Sequence, residues 1–307
     1  MILLVDDIEI FADGLDHPEC VAVHPDGTVW AGGEAGQIYK ISKNGKAVET
    51  IANTGGFILG IAFSPDASWL AICDLKNHCV WKMDMKNYLL EKFADGAPSH
   101  VIPNEVRNLN QENTPYEKLN IPNYPVFDSK GNLYVSESGA FRHVNGKIFC
   151  FKNNGEHIIW HHGPFNFANG LAMSANEKYL YIVCTWLPGV ERIEINNDGT
   201  AGTREVYCIL PKTCPDGLAL DAHANLYVSC YAPNYIYKVD TNKQVSLLFD
   251  DWEAHTLSNP TNMAFGGDNF DEMFTANLGR WHISKIKMNV KGQPLACHVN
   301  AKLKMQN

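Results

Sequence analysis

The chain has 307 residues, of which 45% are hydrophobic and 19% charged, a composition that excludes wholesale disorder and predicts a sizeable core. Its 34 acidic and 25 basic residues give a formal charge of -9 with no basic run, which argues against nucleic acid or a membrane surface as partner and points to a small molecule. Length alone leaves two domains or one large closed β architecture.

The start, Met1-Ile2-Leu3-Leu4-Val5, is apolar but has no basic flank and runs into Asp6 and Asp7, so it does not read as a secretory signal. No later stretch is long and apolar enough to span a bilayer. The nine cysteines are odd in number and mostly embedded in apolar, strand-like runs. They read as reduced thiols of a cytoplasmic protein, a Cys73–Cys79 bridge across a hairpin being the minor alternative.

Six copies of one unit follow: PECVAVHPDGTVWAGG from Pro18, ILGIAFSPDASWLAICD from Ile58, PNYPVFDSKGNLYVSES from Pro122, ANGLAMSANEKYLYIVC from Ala168, PDGLALDAHANLYVSC from Pro215 and PTNMAFGGDNFDEMFTAN from Pro260. Aligned on the bulky residue before each turn (Val23, Phe63, Phe127, Met173, Leu220, Phe265), their spacings are 40, 64, 46, 47 and 45. The long interval carries an insertion over 95–119, polar and Asn-rich, with Pro98, His100, Arg107 and Tyr116; loops of this kind are often lids. Each copy continues into a third β-rich run and most into a fourth, and no helical periodicity is evident. Four strands per repeat of this length predict an all-β, six-bladed β-propeller of four antiparallel strands per blade, a single domain over 1–307 with the insertion between blades two and three. The last copy lacks a fourth strand, and Ile8-Glu9-Ile10-Phe11-Ala12 is expected to supply it, closing the ring without an open edge.

The register predicts what meets at the axis. Residues two and one before the bulky position are large (Val21, Ile61, Pro125, Leu171, Leu218, Met263) and mostly small (Ala22, Ala62, Val126, Ala172, Ala219, Ala264), as opposite faces of a strand stacked between blades require. Four before it, at the head of each innermost strand, stand Glu19, Leu59, Asn123, Asn169, Asp216 and Thr261. Glu19 and Asp216 converging there would repel by about 4 kcal/mol at about 4 Å and an effective dielectric near 20. A divalent cation reverses that sign. Glu19, Asn123, Asn169 and Asp216 offer carboxylate and amide oxygens without thiolate or imidazole, a set that suits Ca²⁺ first, then Mg²⁺ or Mn²⁺, and Zn²⁺ less. Asn169-Gly170 and Asp216-Gly217 could instead be plain turn dipeptides, although the hairpin turns of the same repeats fall seven positions later.

His17-Pro18-Glu19, Ile121-Pro122-Asn123-Tyr124, Asn169-Gly170-Leu171-Ala172, Pro215-Asp216-Gly217-Leu218-Ala219-Leu220 and Pro260-Thr261-Asn262-Met263-Ala264-Phe265-Gly266-Gly267 together resemble the senescence marker protein (regucalcin), gluconolactonase and luciferin-regenerating enzyme family. The resemblance covers essentially the whole chain. It implies a six-bladed propeller whose divalent metal is held by the Glu, the two Asn and the Asp, and hydrolysis of lactones, commonly aldonolactones. Sugar lactonases of this family carry Arg-Pro-Asn-Asp around the first Asn, with the Arg and Asp on substrate. Ile121 and Tyr124 stand in those places here, which favours a less polar lactone or ester.

In the resulting reading the metal is a Lewis acid at the lactone carbonyl and Asp216, a ligand, is also the candidate catalytic base for the attacking water. Substrate walls are expected from His17, Ile121 and Tyr124 near the strand heads and from Trp186, Tyr231 and Arg280 in the loops between second and third strands, on the same face. His161-His162, on an outer strand, reads as solvated or packed. The alternatives are a non-catalytic propeller that binds a ligand or protein on its face and an ester or phosphotriester hydrolase on the same metal.

Overall fold

The structure is a computed structural model that describes residues 7–99 and 115–306, the last three of these by backbone alone. Met1–Val5 and, within the insertion, His100 and Arg107 lie outside the described residues. Six four-stranded antiparallel sheets form the blades of a propeller. Their innermost strands are Cys20–Val23, Ile58–Phe63, Pro122–Phe127, Ala168–Met173, Cys214–Leu220 and Pro260–Gly266. The sixth sheet is completed by Ile8–Asp13 on the outside of His282–Lys287, so the N-terminal strand closes the last blade as the repeat predicted. Of the insertion, Gly96–Pro98 and Tyr116–Lys118 pair as a short antiparallel ribbon, anchored by the Tyr116 hydroxyl donating to Asp95 at 2.8 Å.

The local chemistry of each blade is legible in its turns. In the first hairpin a side-chain oxygen accepts backbone N–H groups two to four residues on: Asp26 from Thr28, Asp66 from Ser68, Asp128 from Lys130 and Asn132, Asn176 from Lys178, Asp221 from His223 and Asn225. These Asx turns explain why the repeat signature centres on Asp and Asn.

The three residues ending each of the first five innermost strands, with Met263, Ala264 and Phe265 of the sixth, line a channel along the axis with a cavity of about 90 Å³. The bulky members two positions before the turn, such as Val21, Ile61 and Leu171, are almost wholly buried between blades, whereas Ala22, Ala172 and Ala219 keep a little exposure toward the lumen. The two faces of an inner strand pack against different neighbours: Val21 and Val23 sit with Phe274 and Ile283 of blade six, and Ala22 sits with Ile58 and Ile61 of blade two.

One element departs from the expectation of an all-strand chain: Ala296–Gln306 is an α-helix. Its sequence, ACHVNAKLKMQ, has no continuous apolar stripe, so no 3.6-residue period could announce it. It is held by tertiary contacts instead. Gln293 donates its backbone N–H to Leu220 and its amide to Met173, His298 Nε2 donates to the Val23 carbonyl at 3.0 Å, and Asn300 donates to Pro65. The segment thus spans the far mouth of the channel, tying blades one, two, four and five together. All nine cysteines are free thiols, Cys73 and Cys79 included. Among the described residues no helix is long and apolar enough to cross a membrane.

Candidate metal and substrate site

The heads of the innermost strands are not regular. The pairing of first with second strands slips between Pro122 and Pro125, Ala168 and Leu171, Pro215 and Leu218, and Pro260 and Met263. Each slip brackets the residue four before the turn. A bulge re-aims a side chain and bends its strand, so Asn123, Asn169, Asp216 and Thr261 leave the alternation of their strands. Gly170 and Gly217 lie inside strands and are not turn residues. They are glycine because neighbouring inner strands nearly touch: a Cβ on Gly170 would sit 2.6 Å from the Asp216 carbonyl, and one on Gly217 would sit 2.4 Å from that of Thr261. The Asn-Gly and Asp-Gly pairs therefore serve close approach at the axis.

Glu19, Asn123, Asn169 and Asp216 are each at most 6% exposed. Among the described residues eight buried side-chain polar atoms have no hydrogen-bond partner, and four of them are Glu19 Oε2, Asn123 Oδ1, Asn169 Oδ1 and Asp216 Oδ1. Buried oxygens left unpaired cost about 1–3 kcal/mol each, more when charged, so four at equivalent positions of four blades call for a cation. The hydroxyls behind the two amides fix their orientation. Ser138 Oγ donates to the Ala168 carbonyl at 2.6 Å, so it can only accept from Asn123 Nδ2 (3.1 Å). Thr185 Oγ1 likewise donates to Pro215 at 2.9 Å and accepts from Asn169 Nδ2 (3.3 Å). With the nitrogens committed, both amide oxygens are left as acceptors with no donor. The fifth and sixth positions differ: Leu59 is apolar, and Thr261 spends its hydroxyl on the Glu19 carbonyl at 2.6 Å.

Burial pushes the carboxyl of Glu19 well above its ordinary range and the charge of Asp216 raises it further. Burial likewise lifts Asp216 to about 7, against a lowering hydrogen bond from Asn169. Without a counter-charge the pair resists double ionisation; a divalent ion removes that resistance. The residues present therefore fit a hard divalent cation.

Of the expected substrate contacts, His17 and Tyr231 lie close to this cluster. Tyr231 is 39% exposed, and after burial its phenol is raised by the charges of Glu19 and Asp216. His17 adopts φ 40° and pairs through Nδ1 with Asp16 (3.1 Å) and Glu34 (3.5 Å), its ring against Trp281. Asp16, His17 and Glu34 form an exposed cluster of possible ligands, but the Asp16 carboxylate is already occupied by Gln37, Ala35 and His17. Ile121 is held by its backbone, its N–H and that of Asn120 donating to the buried Glu137 carboxylate at 2.9 Å. Tyr124 is 9% exposed and lines the channel, where burial holds its phenol far above the ordinary range. Arg280 directs Nε to the Ala254 carbonyl at 3.2 Å, supporting a loop. Trp186 stands in the loop after the second strand of blade four, against Phe141 and Phe167. Sequence reasoning missed Asn262, whose amide donates to the carbonyls of Glu19 (3.0 Å) and Leu59 (3.3 Å) across the axis and leaves its own buried oxygen unpaired. Its neighbour Thr261 occupies the repeat position that drew attention, and no other blade carries an amide one place later.

Residues 99–277, more than half of the chain, match the model of the SMP-30/Gluconolactonase/LRE-like region. The chain belongs to this family. Residues 6–41 also match the N-terminal part of the strictosidine synthase-like family. Among curated relatives of this SMP-30-like chain, a lactonase drp35 of Staphylococcus saprophyticus is 30% identical over 112 residues, 35% of each chain. A regucalcin of Xenopus laevis is 25% identical over 125 residues, 39% of this chain and 40% of the other. The chain thus matches about a third to two fifths of the length of these relatives. In fold it is similar to a gluconolactonase from Xanthomonas campestris (TM-score 0.74, 15% identity, 91% and 89% of the two chains) and to a calcium-binding regucalcin from Agrobacterium tumefaciens (TM-score 0.71, 15% identity, 93% and 95%).

Proposed function

We propose that this propeller is a divalent-metal-dependent lactonase acting on a small lactone, with Ca²⁺ the favoured ion. The observation that carries the reading is the set of four unpaired buried oxygens on Glu19, Asn123, Asn169 and Asp216. Membership of the SMP-30/gluconolactonase/LRE-like family and the partial match to a lactonase support the reaction class.

When bound, the ion supplies Lewis acidity at the carbonyl that is attacked. The chain does the rest. Glu19, Asn123 and Asn169 hold it with oxygen ligands turned outward by Ser138 and Thr185, and Asp216 offers the acceptor for the proton of the attacking water. A carboxylate has two oxygens, so Asp216 can hold the ion through one and accept the proton on the other. Tyr231 and His17 flank the approach.

The test is metal analysis of the purified protein together with a pH-stat screen of lactones, with and without chelator and with Glu19→Gln and Asp216→Asn. One divalent ion per chain is expected. Chelation and either substitution should lower hydrolysis by more than the 10- to 100-fold typical of groups behind the ligands. A folded protein that binds no divalent ion, or activity indifferent to chelator and to both substitutions, refutes the proposal.

A further inference from the structure

On the face that carries the four oxygens, the blades present aromatic rings to solvent. Phe141 is 60% exposed and Trp281 52%, both in loops that follow second strands, and Tyr231, 39% exposed, stands at the end of the second strand Leu226–Ala232 and not in the loop expected for it. Three rings in the sector of blades three and four make a wall: Phe141 to Trp186, 5.5 Å between centroids at 85°; Phe167 to Trp186, 5.9 Å; Phe141 to Phe167, 6.0 Å at 89°. These are edge-to-face and tilted packings that fix ring positions.

The wall and the site are one mechanical unit. Phe167 precedes Asn169 by two residues, and Trp186 follows Thr185, whose hydroxyl holds the Asn169 amide. The two loops are stitched together as well, Thr185 N–H donating to the Phe167 carbonyl and Trp186 N–H to that of Asn166, both at 3.2 Å. Phe167 holds φ 64°, a left-handed backbone that is costly for an aromatic residue and is kept where the surroundings require the ring in one place. One polar atom in this apolar wall is unsatisfied: Trp186 Nε1 is shielded from water and has no acceptor. A buried N–H without a partner is expensive, and here a ligand oxygen can take it.

Resting on the lactonase reading, we infer that Phe141, Phe167 and Trp186 form a subsite for an aryl or branched alkyl substituent on the lactone, with Trp186 N–H donating to an oxygen of the lactone group. This assigns the substrate class: a lactone carrying an apolar substituent next to its ring oxygen. Ile121, at the other flank of Asn123, is consistent with that class.

Three lactones test it: unsubstituted γ-butyrolactone, γ-phenyl-γ-butyrolactone and D-glucono-δ-lactone, with binding of 5-phenyl-2-pyrrolidinone, an unreactive lactam, measured by calorimetry. The phenyl lactone should exceed the other two in kcat/KM by about tenfold or more, the scale on which an apolar pocket discriminates. Phe141→Ala should cut the phenyl-to-parent ratio about tenfold. Trp186→Phe, which keeps a ring and deletes the donor, should weaken lactam binding about fivefold. Trp252→Ala, 81% exposed and outside the wall, should leave the ratio unchanged. Preference for gluconolactone, or a ratio indifferent to Phe141→Ala, overturns the subsite while the lactonase reading stands. Hydrolysis of none of the three refutes the lactonase reading, and lactam binding then decides the subsite alone: binding weakened by both substitutions supports it, and no binding overturns it.

Discussion

Asp216→Asn in the chelated protein gives the sharpest energetic prediction. In the folded, metal-free chain burial raises the Asp216 carboxyl to about 7, about 3 pH units above a free aspartate. At about 1.36 kcal/mol per unit this corresponds to about 4 kcal/mol. The sign follows from proton counts. Between the unfolded and folded values the native state holds the proton that the unfolded chain has released, so stability falls as pH rises and the loss is complete above about 7. Glu19 is shifted in the same direction. Half-buried His161 and buried His298 oppose the trend at lower pH: both are lowered to about 4, chiefly by burial, so each contributes stability that is present above about 6.5 and is lost as pH falls toward 4. The raw pH profile therefore mixes both signs, whereas the difference between wild type and Asp216→Asn cancels the histidines and reports Asp216 together with its repulsion of Glu19. Thermal unfolding in chelator from pH 4.5 to 8.5 measures it. Between pH 4.5 and 8 about 3 kcal/mol of the Asp216 contribution is lost, so the Tm of the wild type should drop against that of Asp216→Asn by about 6 °C, taking about 2 °C per kcal/mol for a chain of this size. Added Ca²⁺ should abolish the gap in the wild type alone. A gap that does not change with pH, or that grows in the opposite direction, refutes the electrostatic account of the axis.

Other consequences follow from the same contacts. Thr185→Val keeps shape but removes the hydroxyl that holds the Asn169 amide and donates to the Pro215 carbonyl, so Ca²⁺ affinity should fall 10- to 100-fold by calorimetry and Tm in chelator should drop by a few degrees. Gly217→Ala places a methyl against the Thr261 carbonyl at 2.4 Å and should cost about 3 kcal/mol in urea unfolding; an effect under about 0.5 kcal/mol would show that the inner strands can part. Acidification toward about pH 4 should protonate His298, which is buried against the Val23 carbonyl, and loosen the C-terminal segment. Hydrogen exchange over 293–303 should then rise before that of the blades, and His298→Gln should remove the effect. Asn262→Leu leaves the carbonyls of Glu19 and Leu59 without their shared donor and should weaken Ca²⁺ binding by about tenfold.

What the sequence discloses is what repeats. Five turns built on Asp or Asn and a sixth on Gly266-Gly267 fix the blade period, and the period puts Glu19, Asn123, Asn169 and Asp216 at equivalent positions before any coordinate is known. Closure by Ile8–Asp13 is legible because a strand is missing at one end of the count and spare at the other. The site's supports break the repeat and are hidden for that reason. Ser138, Thr185 and Ser229 look like ordinary strand residues, yet their hydroxyls reach carbonyls of the next blade. Asn262 is unique to its blade. The C-terminal helix owes its place to four side-chain and backbone bonds over the channel mouth and has no periodic signal of its own. Loop residues fare worst. Arg280 is placed between the second and third strands by the repeat, but the bond from its Nε to the Ala254 carbonyl has no sequence signal, and the Phe141–Phe167–Trp186 wall is assembled from two blades by backbone conformations that composition does not encode.

The central claim is that four buried oxygens at the axis hold a divalent ion. Calorimetric titration of the chelated protein with Ca²⁺ at pH 7.5 tests it most directly. The account predicts one ion per chain, with binding abolished in Asp216→Asn and weakened at pH 6 as protons compete for the carboxylates. A folded protein that takes up no divalent ion at the axis, or binds one equally well without Asp216, would contradict it.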